Sequence, residues 1–287
     1  MKPLDILAAL AVPLLLGFGF VIAKPAMQDF PPLLLMGLRF TIPALMLVWW
    51  FPVPKGLFLD IFKVSFIGST LQYGLTYSGL SMIDASSAVL LVQLEIPFGI
   101  LIAYFLLKEI PSLKNIIALI FSFIGVIILV GEPNLEGKYL GVFLTITGAF
   151  VWSLGAVLAK PISKKIGAFA LMTWLCVFSG PLLILISAFF DGNPIDYFSS
   201  AKINNWYIVI FLGVIMQPIA YGCWYYVLSR YEVNKVMPVF LLLPLTGLVA
   251  SIFLLGEKPS QQLFLGGSII LIGVSIILFK NKKIKKR

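Results

Sequence analysis

The sequence predicts an all-α integral membrane protein of ten transmembrane helices, arranged as two inverted five-helix repeats with both termini cytoplasmic. Three observations predict this. Of 287 residues, 60% are hydrophobic and only 11% charged, with a mean hydropathy of +1.05, whereas soluble domains carry about 25% charged residues. Apolar runs of roughly 20 residues, the length that crosses a ~30 Å hydrocarbon layer, recur from end to end. The second half also repeats the first at nearly constant spacing.

The apolar runs between polar or Pro/Gly breaks place helices at 4–23, 31–51, 59–80, 85–107, 114–130, 138–159, 167–190, 205–228, 234–255 and 262–280. The first run follows Lys2, as a signal peptide would, but it is too long and ends in no small-residue cleavage site, so it is retained as a helix. Trp49 and Trp50 sit at the end of the second run and read as an interfacial belt.

Basic residues test the count. With the N-terminus inside, one side receives Lys2, Lys55, Lys63, Lys108, Lys114, Lys160, Lys164, Lys165, Arg230 and Lys235. It also receives Lys280, Lys282, Lys283, Lys285, Lys286 and Arg287 of the tail. The other side receives only Lys24, Lys138, Lys202 and Lys258, and Arg39 lies within a span. An extra or missing helix would scramble this bias. Much of the net charge of +9 therefore marks a cytoplasmic face beside lipid rather than a nucleic-acid surface.

Residues from Gly74 to Val130 match the stretch from Gly222 at an offset of 148. Tyr77 meets Tyr225, Asp84 meets Glu232, and Gly99 meets Gly247. Phe105-Leu-Leu-Lys-Glu109 meets Phe253-Leu-Leu-Gly-Glu257, and Pro111-Ser112 meets Pro259-Ser260. In the first helix the offset is 136, where Val21-Ile-Ala-Lys-Pro25 meets Val157-Leu-Ala-Lys-Pro161; a longer loop around Asp191–Lys202 absorbs the difference. The division is 1–130, 131–280 and a basic cytoplasmic tail at 281–287. Because five is odd, the second copy enters the membrane upside down, a recurrent design of secondary transporters.

Several chemistries are excluded. The chain has no histidine, and its two cysteines, Cys176 and Cys223, lie inside apolar runs. Histidine-dependent nucleophiles and the common metal sites therefore have no residues to build them. There is no G-x-S-x-G elbow and no G-x-x-x-x-G-K-[ST] phosphate loop. The reading is not an enzyme, no cofactor, and no nucleotide-driven pump within this chain.

The run Pro31-Pro-Leu-Leu-Leu-Met-Gly-Leu-Arg-Phe40, Gln93 in the fourth span, and Tyr221-Gly-Cys-Trp-Tyr-Tyr-Val-Leu-Ser-Arg-Tyr-Glu232 carry a family resemblance. The last continues into Val236-x-Pro238-x-x-Leu241-Leu242-x-Pro244-x-x-Gly247-Leu248. Across nearly its whole length the chain resembles EamA-type transporters of the drug/metabolite transporter superfamily, and within them the exporters of O-acetylserine and cysteine. Glu95 departs from the exporter pattern, standing where that pattern has a second amide. The resemblance implies a multi-pass protein of the cell inner (plasma) membrane whose partners are the bilayer and a small-molecule substrate.

Candidate site residues follow from the cost of polarity in hydrocarbon, ~3 kcal/mol for a central charge, which drives such groups toward the bundle interior or a wet cavity. Arg39 and Glu95 lie at similar depths and form a coupling pair or an ion pair, with proton coupling among the roles open to Glu95. Gln72, Tyr73 and Thr76 share a stripe with Ser65 and Ser69 on the third span. Gln217, Tyr221 and Trp224 share a face of the eighth, and Trp152 shares one with Thr145 on the sixth. Gln93 completes the substrate-binding set.

Pro97 and Pro244 each remove a backbone donor, leaving the carbonyls of Gln93 and Phe240 unpaired at nearly symmetric places. Gln93 and Glu95 lie ~200° apart on an ideal helix, so without unwinding only one faces a cavity. Gly266, Gly267 and Gly273 provide close packing, inside one chain or between two, so monomer and homodimer both stand.

The function expected is a secondary active or facilitative transporter that exports a small amino-acid-type metabolite by alternating access. The same fold carrying a sugar derivative, nucleoside or lipophilic cation is the alternative.

Overall fold

A computed structural model describes residues 3–107, 113–131, 133–231 and 242–278. The described residues are helical throughout, with no strand among them. The basic tail at 281–287 and the Phe240 carbonyl lie outside them.

The first half contains α1 (Pro3–Ala26), α2 (Pro32–Leu47), a rod made of α3 (Phe58–Ser65) and α4 (Gln72–Met82), α5 (Ala85–Leu91), α6 (Glu95–Leu107) and α7 (Leu113–Val130). The second contains α8 (Tyr139–Ile166), α9 (Ala168–Phe190), α10 (Pro194–Ser200), α11 (Ile203–Ile210), α12 (Gly222–Arg230), α13 (Leu242–Leu255) and α14 (Gln261–Leu278). Among the described residues, six helical segments are long and apolar enough to cross a membrane: Pro3–Ala26, Pro32–Trp50, Ala85–Leu106, Tyr139–Ile166, Ala168–Phe190 and Ile203–Val227. Shorter apolar helices cover Ile120–Leu129, Leu242–Leu255 and Gln261–Gly273. The outer surface is greasy: Phe105, Phe189 and Phe253 are all exposed, as lipid contact requires. Trp49 and Trp50 point outward at a helix end.

The loop expected around Asp191–Lys202 folds into α10, because Pro194 suits the first helical turn and Asn193 Oδ1 accepts the Ile195 N–H.

Packing repeats itself under exchange of the halves. Helix α1 packs on α13 as α8 packs on α6, and α4 packs on α8 as α12 packs on α1. The pairs α2–α9 and α7–α14 join equivalent helices to each other. This is the contact pattern a two-fold relation demands. Close approach at the α4 side depends on Gly68 and Gly155, since a Cβ on Gly68 would stand 2.9 Å from the Gly155 Cα. Gly266 and Gly267 pack internally, against α7 backbone and the Leu90 side chain.

Each half also carries a widened, π-helical segment, Phe66–Leu71 between α3 and α4 and Phe211–Tyr221 between α11 and α12. At the 148-residue offset the first falls inside the second. Such widened turns concentrate at functional sites, and here each leads into the polar stripe of its half.

Candidate functional site

Where the two halves meet, a cavity of about 50 Å³ is lined by Leu16, Phe20, Arg39, Gln72, Tyr73, Thr76, Tyr77, Val92, Glu95, Trp152, Tyr221 and Leu243. A smaller void beside it, about 10 Å³, shares Trp152 and Tyr221 and adds Ser69, Leu175, Trp224 and Tyr225. Ligand-binding cavities run to ~300–1,000 Å³, whereas this one has room for water alone.

Three pairs of wall residues are repeat equivalents: Leu16 with Trp152 at the 136-residue offset, and Tyr73 with Tyr221 and Glu95 with Leu243 at 148. The Tyr73 hydroxyl donates directly to that of Tyr221. The cavity therefore sits on the line relating the halves.

Arg39 is fully buried and forms the hub of the polar side. Its Nε donates to Gln217 Oε1 at 3.0 Å, and its terminal nitrogens donate to the hydroxyls of Tyr77 at 2.8 Å and Tyr73 at 3.4 Å. Its guanidinium carbon stands 4.9 Å from the Tyr73 ring centre, a cation–π distance. The Tyr73 and Tyr77 rings stack at 5.5 Å. The ion pair expected between Arg39 and Glu95 does not form; both groups face one cavity, and the guanidinium spends its donors on Gln217 and tyrosines instead. Among the described residues, the ion pairs within 4.0 Å all belong to Lys24.

Glu95 opens α6, directly after a tight turn at Val92–Leu94. Pro97 was expected to loosen the helix here, and the departure from α-helical winding lies at that turn. The outcome aims Glu95 at the cavity, while Gln93 is buried away from its wall. Ser153 donates to the Glu95 backbone carbonyl at 2.6 Å, tying the segment to α8. Pro244 lies near the start of α13.

The other expected site residues divide. Gln72, Tyr73, Thr76, Trp152 and Tyr221 line the cavity, and Trp224 lines the smaller void with its ring 6.0 Å from that of Trp152. Gln217 lies behind the wall, accepting from Arg39. Gln72 Nε2 donates to Thr76 Oγ1 at 3.0 Å, leaving Gln72 Oε1 buried with no partner. Two stripe residues serve packing instead: Ser65 donates to the Leu175 carbonyl on α9, and Thr145 to the Gly141 carbonyl on its own helix. Sequence reasoning passed over Tyr77, Leu16, Phe20, Val92 and Leu243. For Tyr77 the signal was present, one helical turn beyond Tyr73 and matched to Tyr225. Leu16 and Leu243 are visible only as repeat equivalents of Trp152 and Glu95.

Polar clusters lie toward the two ends of α1. At its C-terminal end, Lys24 Nζ donates to the Ile83 carbonyl and stands 3.9 Å from both Asp84 and Glu257. Glu257 caps α5, accepting from the N–H groups of Ala85 at 2.8 Å and Ser86 at 2.9 Å. At the other end, buried Asp5 accepts from the hydroxyls of Tyr226, at 3.0 Å, and Tyr231.

The EamA-like transporter family model matches residues 4–131 and again 139–279. The chain belongs to the EamA-like transporter family. This EamA-like chain is 28% identical to a probable amino-acid metabolite efflux pump of Escherichia coli, over 96% of its own length and 95% of that protein. It is 28% identical to a protein of the same description in Salmonella typhimurium, over 94% and 93%. An uncharacterized transporter of Clostridium kluyveri is 31% identical over 78% of this chain and 71% of that one. A solved crystal structure at 19% identity covers 94% of each chain with a TM-score of 0.67, which supports the fold. The EamA-like chain is thus a multi-pass inner-membrane transporter.

Proposed function

We propose that the protein exports a small amino-acid-type metabolite by alternating access, as a secondary or facilitative carrier without a cofactor. In this reading residues 1–130 and 131–280 insert in opposite orientations, ten spans cross the bilayer, and both termini are cytoplasmic. The observation that carries it is the cavity wall built from repeat-related pairs, Leu16 with Trp152, Tyr73 with Tyr221 and Glu95 with Leu243. A site on the line relating two similar bundles stays in place while they exchange inward- and outward-open shapes.

The clusters on α1 fit the same scheme. Lys24 with Asp84 and Glu257 tethers one end of the helix, and Asp5 with Tyr226 and Tyr231 tethers the other. Releasing either end alone opens the cavity to one side. The efflux description of the two enterobacterial relatives supports both the direction and the substrate class.

Purified protein in liposomes, loaded with unlabelled amino acid, tests the proposal. Labelled amino acid should accumulate by counterflow without nucleotide. Absence of exchange for every amino acid and derivative, by protein that remains monodisperse and folded, would overturn the reading.

A further inference from the structure

We propose that the cavity is a zwitterion clamp, in which Arg39 with the Tyr77 hydroxyl receives a carboxylate and Glu95 with Gln72 Oε1 receives the ammonium of the same solute. The inference rests on the transport reading above and adds which chemical ends the site reads and with which residues.

Four observations converge. Arg39 is a buried cation with no carboxylate within 4.0 Å among the described residues. Its oxygen partners are an amide and two phenols, which spread its charge without cancelling it. Of its five donors, three are given to those oxygens and one terminal nitrogen also reaches the weak acceptor Met36 Sδ at 3.9 Å, so capacity for a carboxylate remains. Glu95 faces the same cavity, and its carboxylate has no ion pair among the described residues either. Arg39 and Glu95 thus share one cavity without meeting. A solute carrying both complementary charges bridges them and compensates each.

Gln72 Oε1 provides the fourth observation, independent of the charges. It is a buried acceptor without a donor, on a residue of the cavity wall. A buried polar atom left in this state costs ~1–3 kcal/mol, and an ammonium with three N–H groups satisfies it together with Glu95. The same wall also carries apolar and aromatic residues, Leu16, Trp152 and Leu243, which suits a short side chain.

The test uses counterflow of labelled L-cysteine under reducing conditions, with unlabelled competitors that each delete one end. Unlabelled cysteine should compete best. Cysteamine lacks the carboxylate and 3-mercaptopropionate lacks the ammonium, and each should compete at least tenfold less well. If both compete as well as cysteine while exchange proceeds, the clamp is wrong and the transport reading survives. If neither cysteine nor any other amino acid or derivative exchanges, both fall together. Glu95→Gln supplies the residue assignment: the folded variant should lose most of its preference for cysteine over 3-mercaptopropionate and keep its preference over cysteamine. An unchanged preference on both counts removes Glu95 from the ammonium site.

Discussion

The two repeats share a scaffold and divide the chemistry. At equivalent positions the first repeat places Arg39, Gln72, Thr76 and Glu95, and the second places Leu175, Ala220, Trp224 and Leu243. Of the cavity-wall positions in the first repeat, only Tyr73 and Tyr77 meet the same residue type in the second, at Tyr221 and Tyr225. Both charged residues of the cavity therefore come from the first repeat, while the second contributes only the uncharged Trp152, Tyr221 and Leu243 to its wall. The pattern teaches that two demands are met by different residues. Symmetric helix packing permits two mirrored conformations, whereas recognition of an unsymmetric solute requires the halves to differ where they touch it.

The largest effect should come from giving the first repeat the residue of the second. Arg39→Leu, copying Leu175, strips Gln217, Tyr73 and Tyr77 of their donor. Hydrogen bonds to a charged group contribute ~1.5–3 kcal/mol each, and ~2.7 kcal/mol corresponds to about a hundredfold. Counterflow should fall by that factor or more, measured per folded molecule after size-exclusion chromatography. Near-normal exchange would mean that the charge asymmetry has no part in transport.

A smaller contrast concerns packing at a repeat-related pair of glycines. A Cβ on Gly155 meets the Gly68 Cα at 2.3 Å, where neither backbone can yield without moving a helix. A Cβ on its equivalent, Gly19, meets the Met216 side chain, which has other rotamers available. Gly155→Ala should lose about 1–3 kcal/mol, and Gly19→Ala clearly less, read as melting temperatures in detergent. Equal losses would show that the two crossings are packed alike.

The smallest effect lies at the loop that reconciles the two repeat offsets. Asp29 Oδ2 accepts from the Lys202 N–H and Asn205 Nδ2, both at 2.7 Å, joining the first repeat to the segment leading into α11. These bonds hold its carboxyl below the ordinary 3.8. A lowered folded-state value means that the stabilisation is present above 3.8 and is lost as pH falls through the lower value. Asp29→Asn should therefore melt slightly earlier than the parent at neutral pH, with the gap closing in acid well below pH 3.8. A gap that persists there would assign the effect to packing.

Much of this was legible in the chain itself. Apolar run lengths depend on bilayer thickness, so the helical windows could be read without knowing any contact. The repeat was legible because duplicated polar punctuation, such as Phe105–Glu109 against Phe253–Glu257, survives within apolar sequence. The cost of charge in hydrocarbon picked out Arg39 and Glu95. Tertiary structure decided what periodicity could not. Ser65 and Thr145 share stripes with cavity residues, yet a face is broad enough to serve both a neighbouring helix and a cavity. Glu95 rather than Gln93 faces the cavity because a tight turn at Val92–Leu94 rotates the following helix. Arg39 and Glu95 remain apart because Gln217, Tyr73 and Tyr77 reach the guanidinium from other helices, and contacts between residues as distant in sequence as Arg39 and Gln217 exist only once the bundle has closed.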